Sequence, residues 1–138
     1  MIIGAHFLIL SQDPEADRAF FRNVLNFHSI DIGEGWLLFR LPPAELAVHP
    51  SNNHPVLLHG ERQLLGTLLY LMCDDLNSVI ASLKAKAIDC TPVMEAPWGI
   101  KTAIRLPSGG EIGLYQPKHP TAFDLKKADP VSTDRASS

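Results

Sequence analysis

Only two cysteines, Cys73 and Cys90, occur among the 138 residues. They lack the C-x-x-C spacing of a redox or zinc motif and sit in apolar, strand-like surroundings, so they read as reduced core thiols. Basic clusters are also missing. No run of Lys or Arg exceeds Lys126-Lys127, and the net charge is −3. Phosphate binding needs a concentrated cationic face, so this argues against nucleic acid as a partner. No apolar run approaches the roughly 20 residues that cross a membrane. Met1-Ile2-Ile3-Gly4-Ala5-His6 lacks the charged region of a signal peptide, and a cytoplasmic location is expected. There is no G-x-S-x-G nucleophile elbow, no P-loop and no G-x-G-x-x-G. What remains is an ordinary globular composition, 46% hydrophobic and 20% charged, in a chain long enough for one domain with a core.

The order of elements repeats. Ile3 to Leu10 is a short apolar run, read as a strand. Asp13-Pro14-Glu15 supplies an N-cap, a proline suited to the first helical position and an early acid. Ala16, Ala19, Phe20, Val24 and Phe27 follow at helical spacing. Gly33-Glu34-Gly35 is a turn, Trp36 to Leu41 a strand, Pro42-Pro43 a break, and Glu45 to His49 another strand. Later, Thr67 to Met72 is an apolar strand, and Asp74-Asp75 caps a helix with Leu76, Val79, Ile80, Leu83 and Ala87 at its apolar positions. A strand through Cys90, the turn Pro97-Trp98-Gly99, a strand from Ile100 to Leu106, the turn Ser108-Gly109-Gly110 and a strand from Glu111 to Gln116 complete the second half. The letters repeat as well. Arg40-Leu41-Pro42 matches Arg105-Leu106-Pro107 at an offset of 65, Glu45-Leu46-Ala47-Val48 matches Glu111-Ile112-Gly113-Leu114 at 66, and Asp13 matches Asp74 at 61.

Two modules of β-α-β-β-β order are therefore expected, at about 3–50 and 66–118, in an α+β domain over 1–120 with curved mixed sheets enclosing one cavity. Residues 51–65 read as a linker, and 121–138 as a disordered tail poor in large apolar residues. Alternation along the strands sets apolar residues such as Phe7, Ile9, Ile112 and Leu114 against a mixed face holding His6, Ala47, His49, Thr67, Glu111, Gly113 and Tyr115. A partly polar face inside a curved sheet suits a binding site.

His6 before an apolar strand and Asp13, the Pro97-Trp98-Gly99 turn and the run Leu106-Pro107-Ser108-Gly109-Gly110-Glu111-Ile112 resemble the vicinal-oxygen-chelate superfamily, over roughly residues 3–118. That superfamily includes glyoxalase I, extradiol dioxygenases and bleomycin-resistance proteins. The resemblance implies a homodimer and a divalent metal on four positions, which fall here on His6, Ala47, Thr67 and Gly113. Ala47 and Gly113 have no ligand atom and a neutral Thr hydroxyl is a poor one, whereas a catalytic divalent site normally has about three protein ligands. The expectation is thus no metal and no cofactor: a small-molecule-binding protein or metal-independent enzyme. The alternatives are a metal-dependent lyase or extradiol-type dioxygenase with a displaced site on His6, His49, Glu111 or Glu45, and an interaction module with no small ligand.

The candidate ligand-binding set is His6, Arg40, His49, Thr67, Arg105, Glu111 and Tyr115. Arg40 and Arg105 hold matching places in the repeat, on the strand face away from Leu37, Phe39, Thr102 and Ile104. A guanidinium there suits a small organic molecule with one anionic end. The plainer readings are a core histidine at His6, hairpin ion pairs between these arginines and Glu45 or Glu111, solvated His54, His59 and His119, and turn packing for Trp98.

Overall fold

The computed structural model describes residues 1, 4–50 and 57–123, which divide into two compact units. The first comprises Met1–Leu41 with Arg105–Glu111, and the second the rest.

In the first unit, Asp13 caps helix α1 (Pro14–Asn23) by accepting the Ala16 N–H, with Pro14 inside the first turn, as the Asp-Pro-Glu signal requires. Strands β1 (Ser29–Asp31) and β2 (Leu37–Phe39) pair antiparallel around the Gly33–Gly35 turn. The Phe21 ring meets the Phe27 and Phe39 rings at centroid distances of 5.8 and 5.7 Å, which seats α1 on β2. Burying rings such as Phe20 and Phe21 contributes about 2–3 kcal/mol each. Trp36, Leu38 and Arg40 alternate with these inward residues and are exposed.

Asp17 is also buried in this unit, at 5% exposure. Its carboxylate accepts from Ser11 Oγ at 2.7 Å, from Ser108 Oγ at 2.7 Å and from Ser108 N–H at 3.0 Å. Burial alone would raise its pKa. The hydrogen bonds from Ser108 and Ser11 outweigh that and hold the carboxyl below the usual carboxylate range.

In the second unit, chain order runs β3 (Leu57–His59), β4 (Arg62–Leu64), β5 (Tyr70–Met72), helix α2 (Leu76–Ala85), β6 (Met94–Ala96), β7 (Gly99–Arg105) and β8 (Glu111–Pro117). Strands β5, β8, β7 and β6 form one mixed sheet in that spatial order. β5 runs parallel to β8 with Tyr70 opposite Gly113, and β6 antiparallel to β7. Leu76 and Leu83 of α2 with Ile104, Ile112 and Leu114 of the sheet are the apolar core; Leu76 and Ile104 are fully buried. The start of α2 is tied to β8 by Gln116, whose Oε1 accepts the Leu76 N–H at 2.8 Å. That satisfies one of the N–H groups every helix leaves open. At its other end, Ile88 N–H reaches Leu83 O and Ala87 N–H reaches Lys84 O, with Ala87 left-handed at φ 61° where glycine is usual.

Several expectations change. Asp75, not Asp74, caps α2, so its offset from Asp13 is 62. The described part of the first expected strand, Gly4–Leu10, forms no regular strand, and Phe7 to Leu10 are 45–61% exposed. Glu45–His49 is likewise irregular, between prolines that cannot donate to a ladder, and Glu45 instead accepts the Ala122 N–H at 2.9 Å. An apolar run licenses a strand, but only a neighbouring ladder completes one. Cys90 contributes a single bridge to Ile104. Within the segment read as a linker, β3 and β4 form a hairpin whose two-residue turn opens on Gly60 at φ 62°. Residues 51–56 of that segment, and 124–138 of the expected tail, lie outside the described residues.

Candidate functional site

The face of the four-stranded sheet opposite its core is aromatic. Ile112 and Leu114 are buried, so Gly113 and Tyr115 point to the other side; Thr102 and Ile104 likewise set Lys101 on that side. Tyr70 on β5 stands beside Gly113 in register. A Cβ at position 113 would run into the Tyr70 ring, and one at Gly99 would lie 2.5 Å from the Tyr115 ring. The two glycines thus let two tyrosine rings lie down on the sheet, a close approach that any side chain would forbid.

The rings form a connected platform. Tyr70 and Tyr115 meet edge to face at 6.3 Å, Trp98 packs on Tyr115 at 5.7 Å, and the His119 ring also lies 5.7 Å from Tyr115. The Tyr115 hydroxyl donates to Trp98 O at 3.0 Å, which fixes the turn before β7 against β8. Above them, Lys101 Nζ stands 5.8 Å from the Tyr70 centroid and 5.6 Å from that of Trp98, within cation–π range of both. At the rim, Lys118 pairs with Glu95 at 3.0 Å, both exposed. Partial burial, and secondarily the Glu45 carboxylate, push the Tyr115 hydroxyl up from its ordinary pKa. Cys73 and Cys90 are free thiols whose pKa burial also raises, with Asp74 and Asp89 adding to it and the Tyr115 backbone opposing at Cys73, so neither is an activated nucleophile.

Of the residues singled out in the sequence, Tyr115 is central to this platform. Thr67 and His49 belong to the same unit and are exposed, outside its strands. His6, Arg40, Arg105 and Glu111 belong to the first unit and are exposed there. The expected Arg105–Glu111 pairing is not made: among the described residues the ion pair is Lys118–Glu95. His59 is exposed as expected, His119 is instead half-buried against Tyr115, and His54 lies outside the described residues. Trp98 does pack a turn, yet it is also part of the ring surface.

Lys101 and Tyr70 escaped the sequence reading. Thr67–Met72 is apolar on both faces, so alternation could not show which side Tyr70 takes. The available signal was Gly113, a glycine inside a strand, which marks close approach by something else.

Among the described residues no group of three or more His, Cys, Asp or Glu could hold a metal ion. At Gly113, one of the four positions the family resemblance marks for a metal, the space for a side chain is filled by the Tyr70 ring, and Ala47 offers only a methyl. These residues do not fit the metal at those positions.

The elements and the platform define a mixed α+β protein with an aromatic sheet face. Its fold is similar to that of solved glyoxalase and bleomycin-resistance proteins. TnmS3, an antibiotic binding protein from Streptomyces sp. CB03234, matches at 22% identity and a TM-score of 0.58, over 86% of this chain and 100% of that one. A lactoylglutathione lyase from Agrobacterium tumefaciens matches at 18% and 0.52, over 77% and 87%. A glyoxalase/bleomycin resistance protein from Streptomyces sp. CB03234 matches at 22% and 0.50, over 77% and 93%. No protein-family model matches the sequence, and no curated protein does. No helix among the described residues is long and apolar enough to cross a membrane.

Proposed function

We propose that the protein binds a small, flat organic molecule on the Tyr70–Trp98–Tyr115 face without a bound metal, as a binding protein or a metal-independent enzyme. The observation that carries this is the Tyr70 ring lying over Gly113. Where the family's metal chemistry would call for a ligating side chain, this chain has a stacking surface. Aromatic faces with a few polar groups at their edges suit small ligands. That TnmS3 is an antibiotic binding protein supports the same reading of the fold.

An anionic end on the ligand, with His6, Arg40, His49, Thr67, Arg105 and Glu111 as further binding residues, belongs to this proposal and rests on the sequence. So do the two-module repeat with one cavity and the homodimer. A cytoplasmic location is supported by the two free thiols, which suit a reducing compartment.

The test combines metal analysis with a ligand screen. Protein purified without chelator should carry well under one divalent ion per chain. At least one compound of an aromatic library should raise its melting temperature, and Tyr70→Ala should remove that shift. A stoichiometric ion that is lost in His6→Ala would overturn the proposal.

A further inference from the structure

We infer that Lys101 is the anion-selecting group of this face, and that the molecule it takes is a flat conjugated acid. Its ring would stack on the Tyr70 and Trp98 side, and its carboxylate or phenolate oxygen would sit on the Lys101 ammonium. The inference rests on the platform reading above.

Three observations support it. First, the Lys101 ammonium lies over two ring faces, at 5.8 and 5.6 Å. Ring faces attract a cation through their quadrupole but accept no strong hydrogen bond and carry no charge. Among the described residues no carboxylate pairs with Lys101, so its three N–H donors and its charge are available to a ligand. Second, the nearby acid is committed elsewhere: Glu95 is paired with Lys118 at 3.0 Å. Third, the field orients the ligand. Burial raises the pKa of the Tyr115 hydroxyl, and the Glu45 carboxylate adds to that in the same direction. An anion is therefore disfavoured at the Tyr115 end and favoured at the Lys101 end. Lys101 is half-buried on β7, a strand held on both sides, so the ammonium is placed by a rigid element and not by a loop.

An ammonium donating to an oxyanion beside apolar surface should favour an acid over its amide by about tenfold to a hundredfold. The experiment uses the full chain and isothermal titration calorimetry with 2-naphthoate and 2-naphthamide, which share one ring body. The wild type should bind the acid at least tenfold more tightly. Lys101→Met should bring the acid down to the level of the amide. Lys101→Arg, which retains the charge, should keep the preference, and it remains informative if the methionine variant does not fold. Equal affinity for acid and amide in the wild type, or a preference that survives Lys101→Met, would overturn the inference while leaving the platform standing. Binding of neither probe, or binding of both untouched by Tyr70→Ala, would overturn the platform reading and the inference with it.

Discussion

Replacing Asp17 tests whether one buried carboxylate holds helix α1 to the Arg105–Glu111 turn. Asp17 sits on the helix at 5% exposure, and all three of its hydrogen bonds come from outside it: Ser11 Oγ, Ser108 Oγ and Ser108 N–H. Hydrogen bonds to a charged acceptor contribute about 1.5–3 kcal/mol each, but three on one group are not additive, and burial of the charge works against them. Asp17→Asn keeps the shape and one acceptor, so it should cost about 2 kcal/mol. Asp17→Ala strands the Ser108 N–H and should cost about 3–4 kcal/mol. For a chain of this size, 1 kcal/mol moves the melting temperature by about 3–4 °C, so the asparagine variant should melt about 6–8 °C lower at neutral pH. The carboxyl's pKa is depressed by folding. Its contribution is thus fully present above the unfolded value near 3.9 and lost as pH falls through the lower folded value. The gap between wild type and Asp17→Asn should accordingly be widest above the usual carboxylate range and close in acid, as Asp17 protonates in the folded state. Thermal melts by circular dichroism across that range measure it. A neutral-pH gap under about 1 °C, or a gap that does not shrink in acid, would refute the reasoning. A double-mutant cycle with Ser108→Ala should show non-additivity, since the two residues share the bonds.

Two further outcomes follow from single contacts. Gln116→Leu should destabilise by about 1–2 kcal/mol in denaturant titration, because the Leu76 N–H loses its acceptor next to a fully buried side chain; Gln116→Glu should not, since it restores an acceptor at a helix N-terminus. Tyr115 should ionise above the usual phenol range when phenolate absorbance is followed in a Tyr70→Phe background, where it is the one tyrosine left, and Glu45→Gln should bring it down. A Tyr115 titration unmoved by Glu45→Gln would show that the carboxylate does not act on it.

What the sequence by itself determined is the part whose signals are local. Asp13-Pro14 starts α1, and the Gly33–Gly35 and Ser108–Gly110 turns join strands that exist. The alternation of Thr102, Ile104 and Leu106, and of Ile112 and Leu114, marks the side that is buried. Each is written within a few consecutive residues, where capping, turn chemistry and period-two patterning act. The Pro97-Trp98-Gly99 turn and the Leu106–Ile112 run also resemble a family with solved members to which this chain is similar in fold. Tertiary structure alone decided which apolar segments become strands. Gly4–Leu10 and Glu45–His49 look as strand-like as Tyr70–Met72, but only the last has a described neighbour, β8, to pair with. It alone decided the platform too. Tyr70, Trp98, Lys101 and Tyr115 are brought together by a parallel pairing across α2 and by two glycines that make room for rings. A residue's own spacing says which face it takes, but not whose side chain will lie across it; that depends on register between distant strands.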